Sequence, residues 1–103
     1  MSAFGIGVNC DPTEDEPVKG RVYDIACDCW FTSTHKIMPR MFKVKGDDEQ
    51  IQTVKDIQVI HSEKKNYAGI PSIEFQCQAI IGGLIRGFRL IYYLTECRWV
   101  MVL

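Results

Sequence analysis

Three features of the sequence predict a mainly β fold, a small antiparallel barrel or a curled sheet or sandwich of five or six strands. Apolar residues recur at every second position in several segments, the period of a half-buried strand. The Gly82-Gly83 pair separates two such segments by a two-residue hairpin turn. No stretch of ten or more residues carries the 3.6-residue period of a helix able to cover the sheet.

Residues 1–18 read as a flexible acidic tail, and residues 19–103 as a single β domain. Asp11-Pro12-Thr13-Glu14-Asp15-Glu16-Pro17 is acidic, holds two prolines and lacks an apolar period. Phe4-Gly5-Ile6-Gly7-Val8 before it has the makings of a short edge strand. From Arg21 the pattern turns β. Tyr23, Ile25, Cys27, Cys29 and Phe31 alternate with Asp24, Ala26, Asp28 and Trp30. Thr32 to Lys36 is a polar connection, and Met38 to Lys45 a second strand with Pro39 near its start, where a missing N–H is tolerable. Gly46-Asp47-Asp48 supplies a turn. Ile51 to His61 reads as a third strand whose phase slips, which a bulge near Lys55-Asp56 would reconcile. Ser62 to Pro71 is polar and reads as a loop.

The hairpin Ile73–Ile81 and Leu84–Leu94 is the clearest element, because its turn fixes a register. Ile81 must face Leu84, so Cys77 faces Phe88, Phe75 faces Leu90 and Ile73 faces Tyr92, all on one face. Thr95-Glu96 then turns the chain into a last strand, Cys97 to Leu103, with Cys97, Trp99 and Met101 in one phase. The hairpin's other face is apolar too. Ile80 faces Ile85, and Ile91 and Tyr93 share their side with Val100 and Val102. A sheet apolar on both faces is wrapped on itself or buries its second face against a partner, so Ile80, Ile85, Ile91 and Tyr93 form the expected interaction surface.

Composition narrows the function. At 103 residues, 47% apolar and 24% charged, the chain fits one globular domain. A net charge of -1 removes the basic excess of a phosphate-tracking protein. No segment reaches the roughly 18 apolar residues of a membrane-spanning helix. The longest, Ala79 to Leu94, is broken by Gly82, Gly83, Arg86, Gly87 and Arg89. The first seventeen residues hold no Lys or Arg, unlike a signal peptide, so a cytoplasmic setting is expected. Five cysteines, an odd number, then read as reduced thiols and not as a disulfide framework.

Each candidate site meets a plainer reading. Cys27, Cys29, Cys77 and Cys97 are the residues of an alternative all-cysteine zinc site. They lack the tight knuckle spacing of structural zinc, and free cysteines in core phases are more simply small buried hydrophobes. No cofactor or metal is therefore expected. A Cys–His nucleophile would need His35 or His61 beside a thiol, and both histidines lie in or beside polar segments. Asp24, Asp28, Asp56 and Glu74 are the acid–base candidates, with solvated sheet charge as the plainer reading. Lys43, Lys45, Arg86 and Arg89 are the candidate nucleic-acid contacts, joined by Lys64, Lys65 and Arg98 and by the aromatic residues Trp30, Tyr67 and Tyr93. Trp30 and Trp99 are read as core packing, with an interface anchor as the alternative. Gly82, Gly83 and Gly87 match no phosphate-binding motif.

The string CDCWFTSTHKIMPRMFKVK (residues 27–45), with IQTVKDIQVIHSE, YAGIPSIEFQCQAIIGG and ECRWVMVL, resembles small single-domain proteins carried by mobile elements of Firmicutes-type bacteria. The likeness spans about residues 21–103. It carries no activity and no site residues, and implies a bacterial cytoplasmic setting and an accessory role, an inhibitor among the possibilities. The expectation is thus a non-enzymatic protein-binding module, with its own dimer as one form of that binding. A nucleic-acid-binding barrel is the second reading, and a zinc domain or small enzyme the third.

Overall fold

The computed structural model describes residues 20–103. The expectations for the acidic tail and for a strand at Phe4–Val8 lie outside the described residues. Seven strands, β1 (Val22–Phe31), β2 (Ile37–Lys45), β3 (Ile51–Val54), β4 (Gln58–Tyr67), β5 (Ile70–Ile81), β6 (Leu84–Tyr93) and β7 (Arg98–Val102), form one antiparallel sheet in the order β3-β2-β1-β7-β6-β5-β4. There is no helix among the described residues.

The order forces the sheet to curl. β3 and β4 are the two edge strands, yet only Lys55, Asp56 and Ile57 join them. Laid flat, seven strands would hold their edges roughly 29 Å apart. Three linking residues span at most roughly 14 Å. The sheet therefore bends into a half-barrel, and at that corner β3 touches β5 past the start of β4. Asp56 takes the left-handed conformation (φ 54) that breaks the expected third strand in two.

That split is one correction to the sequence reading. The other is the polar segment 62–71, which is no loop. It completes β4, and Ala68-Gly69 (φ 52 and 79) turns it directly into β5. β4 is an edge strand exposed along nearly its whole length, so it carries no apolar alternation to read. The split raises the strand number to seven, and the polar segment lengthens β4.

The β5–β6 register is as expected, with Ile81 opposite Leu84, Cys77 opposite Phe88 and Ile73 opposite Tyr92. Gly82 and Gly83 (φ 61 and 82) supply the turn. The register continues into rows across the sheet. Phe75, Leu90, Met101 and Tyr23 form one, and Ile73, Tyr92, Trp99 and Ile25 another. With Phe42 and Val54 these inward side chains make the main core. Tyr92 and Trp99 lie 4.9 Å apart between ring centroids, and Phe42 meets Phe88 edge-on at 5.4 Å.

The opposite face carries a second cluster. Ile91, Val100 and Val102 are only 1–2% exposed, and Tyr93 packs against them. Gly20 lies against this cluster. Its φ of 112 suits glycine, and a Cβ there would stand 2.7 Å from the Leu103 carbonyl oxygen and 2.9 Å from Val102 Cγ1. Beside it, Arg21 and Leu103 exchange backbone hydrogen bonds of 3.1 and 3.0 Å that extend the β1–β7 pairing. Replacing Gly20 with alanine should cost about 1–3 kcal/mol from backbone strain, with the contact added. Urea unfolding checks this, and an unchanged midpoint would show that the strand end shifts freely.

Candidate interaction surface

The β5–β6 hairpin outruns its neighbours. β4 begins with Gln58 opposite Gln78, and β7 ends with Val102 opposite Arg89. Beyond those points the hairpin is a two-stranded ribbon with no paired strand on either side among the described residues, in contact with β3. Its tip is apolar on both faces, and Ile80, Leu84 and Ile85 are 67–73% exposed. Ile80 and Ile85 pair directly, with Thr53, Lys55 and Gln58 across a shallow hollow of about 470 Å³. A two-stranded ribbon has no second layer to receive these side chains.

The four residues expected to share an interaction surface are divided. Ile80 and Ile85 stand exposed at the tip, whereas Ile91 is buried and Tyr93 half-buried in the second cluster. Arg98 lies over the Tyr93 ring at 4.9 Å and also donates hydrogen bonds to Asp24 (3.1 Å) and Glu96 (2.9 Å). Trp99 is core, as expected. Trp30 is not: it points outward, 55% exposed, with the Arg40 guanidinium 4.5 Å from its ring centre. The alternation of β1 already puts Trp30 in phase with Asp24 and Asp28, so the pattern outweighs the residue type.

The cysteines occupy three settings. Cys27 and Cys29 line the inner face of β1, and Cys77 is buried on β5. Burial, then the neighbouring Cys29, Asp28 and Cys77, pushes the Cys27 thiol up to about 12. Burial alone pushes Cys77 up to about 12. Cys29 is also raised, by burial first and Asp28 second. Thiols held neutral are poor nucleophiles and poor metal ligands. Cys97 corrects the expected core phase. It takes a positive φ of 52 in the β6–β7 turn and is exposed, its Sγ 3.7 Å from the Leu94 carbonyl. Among the described residues no three His, Cys, Asp or Glu side chains gather closely enough to hold a metal ion.

The basic residues do not converge. Lys43 and Lys45 are on β2, and Arg86 and Arg89 on β6, with β1 and β7 between them. Three interstrand spacings put the two pairs roughly 14 Å apart along the sheet. Arg86 stands opposite Ala79 in the inward phase, while Arg89 stands opposite Gln76 in the outward one. Lys45 pairs with Glu49 at 3.6 Å, and Arg89 with Glu74 at 3.1 Å. Of the acid–base candidates, Asp24 and Glu74 are thus held by Arg98 and Arg89, and Asp28 lies 4.0 Å from Arg40. His35 is in the β1–β2 turn and His61 on the β4 edge.

Sequence reasoning missed a cleft on the open side of the half-barrel. It lies between the first half of β2 and the free edge of β4, with a volume of about 740 Å³. No local pattern announces it, because it depends on β3 stopping at Val54 and the chain crossing to the opposite edge. No family model matches the chain, and neither a curated protein nor a solved structure does. No described helix is long and apolar enough to cross a membrane.

Proposed function

We propose that the chain is a non-enzymatic interaction module that binds another protein through the β5–β6 tip. The observation that carries this reading is the exposure of Ile80, Leu84 and Ile85 on a ribbon projecting past its neighbours. Apolar side chains gathered at one exposed place favour a contact that removes them from water. A second copy of the chain is one partner of suitable chemistry, and the resemblance to mobile-element proteins favours an accessory or inhibitory role in a bacterial cytoplasm. Nucleic acid draws less support, because Lys43, Lys45, Arg86 and Arg89 are spread over two strands and two faces.

The test compares the chain with its Ile85→Asp variant. Sedimentation reads self-association, and retention of host proteins on the immobilised chain reads outside partners. A dimer or a retained protein weakened at least about tenfold by the variant supports the tip as the contact. Association unaffected by Ile85→Asp, with the variant still folded by circular dichroism, would overturn it.

A further inference from the structure

The open cleft offers a second binding site, independent of the hairpin tip. Ile57, Val59 and Ile73 face it above the buried Phe75, so its floor is apolar. Its volume of about 740 Å³ falls within the roughly 300–1,000 Å³ of small-molecule sites. Lys36 and Lys64 stand on its rim, and among the described residues neither forms an ion pair. The one acid on the rim, Glu63, is answered by Lys65 at 3.4 Å. The cleft therefore joins an apolar floor to two positive charges that no described acid pairs with.

The strands flanking the cleft are poorly suited to receiving an added strand. Pro39 on β2 has no N–H to offer. The β1–β2 register slips between Asp28 and Cys29, and the β4–β5 register between Val59 and His61. Proline, irregular pairing and charge on an edge all oppose backbone addition. Side chains must then do the recognising.

We propose that this cleft binds a free single-chain anionic amphiphile. The alkyl chain lies against Ile57, Val59, Ile73 and Phe75, and the anionic head group meets Lys36 and Lys64. The probe is dodecanoate below its micelle concentration, titrated into the full-length protein and followed by amide chemical shifts. Saturable shifts centred on residues 35–39, 57–64 and 73–75 are expected. Replacing both Lys36→Gln and Lys64→Gln should weaken dodecanoate at least about tenfold, the scale of a lost charge-assisted contact. Val59→Asp, on the exposed edge strand, should weaken it as well. Dodecyltrimethylammonium, with the same tail and the opposite charge, should not bind there.

Equal binding of the two probes would overturn the proposal, as would absence of saturable shifts. So would binding abolished by Ile85→Asp, which would place the alkyl chain at the hairpin tip. Cosedimentation with anionic phospholipid vesicles, without binding of free dodecanoate, would replace the cleft by a membrane surface and also overturn it. Failure of these tests leaves the protein-binding reading of the tip standing, because that reading is tested by a different variant and a different readout.

Discussion

Replacing Trp99 with alanine should cost about 3–5 kcal/mol of folding stability. Trp99 is on β7, the central strand of the seven, and its ring lies between those of Tyr92 (4.9 Å) and Phe75 (5.6 Å). The same register row ties it to Ile25 on β1. Its removal opens a cavity bounded by Tyr92, Phe75 and Ile25 on three neighbouring strands. A domain of this size has about 5–15 kcal/mol in total, so the variant should lose roughly a fifth of its stability or more. Trp30→Ala is the internal comparison. Trp30 lies outside, against Arg40, and its loss should cost less than about 1 kcal/mol, the size of an exposed cation–π contact. Urea unfolding of both variants decides the matter. Equal losses would mean that the inward and outward faces of β1 and β7 are wrongly assigned.

The contrast between the two tryptophans shows what the sequence makes legible. Period-two alternation places Trp30 outward and Trp99 inward, while residue type alone puts both in the core. The β5–β6 register is legible because two independent signals agree, the alternation and a turn that only left-handed residues can make. β4 is hidden because an edge strand exposed along its length leaves no apolar trace. The break at Asp56 is hidden because one residue with positive φ reads like a bulge within a continuing strand. Cys97 shows the same limit, since its phase matches Trp99 but its backbone belongs to the turn. Of the expected interaction surface, the exposed tip at Ile80 and Ile85 follows from the hairpin pattern. The burial of Ile91 does not, because it depends on packing across the sheet. The open cleft is further out of reach, being set by a three-residue crossover between the two edges of the sheet.

The inner thiols should make the protein unstable in alkali. Below about pH 9, Cys27 and Cys77 are protonated in both the folded and the unfolded chain, so they add no pH dependence. Their folded values are raised from 9.0 to about 12. Between these limits the unfolded chain gives up its thiol protons while the native chain keeps them. The unfolded state then binds fewer protons, and stability falls as pH rises. Each fully buried thiol contributes about 1.4 kcal/mol per pH unit to that fall. Cys77 should show this in full and the half-buried Cys27 in part, giving a combined slope between about 1.4 and 2.7 kcal/mol per unit. Urea midpoints collected under reducing conditions from about pH 8 to 11 would measure it. The Cys27→Ala/Cys77→Ala variant starts from lower stability but should lose most of the slope. A slope undiminished in that variant would show that tyrosines and lysines, not thiols, govern the alkaline limit. The same protonation has a functional corollary. A thiol that stays neutral to high pH is a weak nucleophile, which fits an inner face that serves as packing.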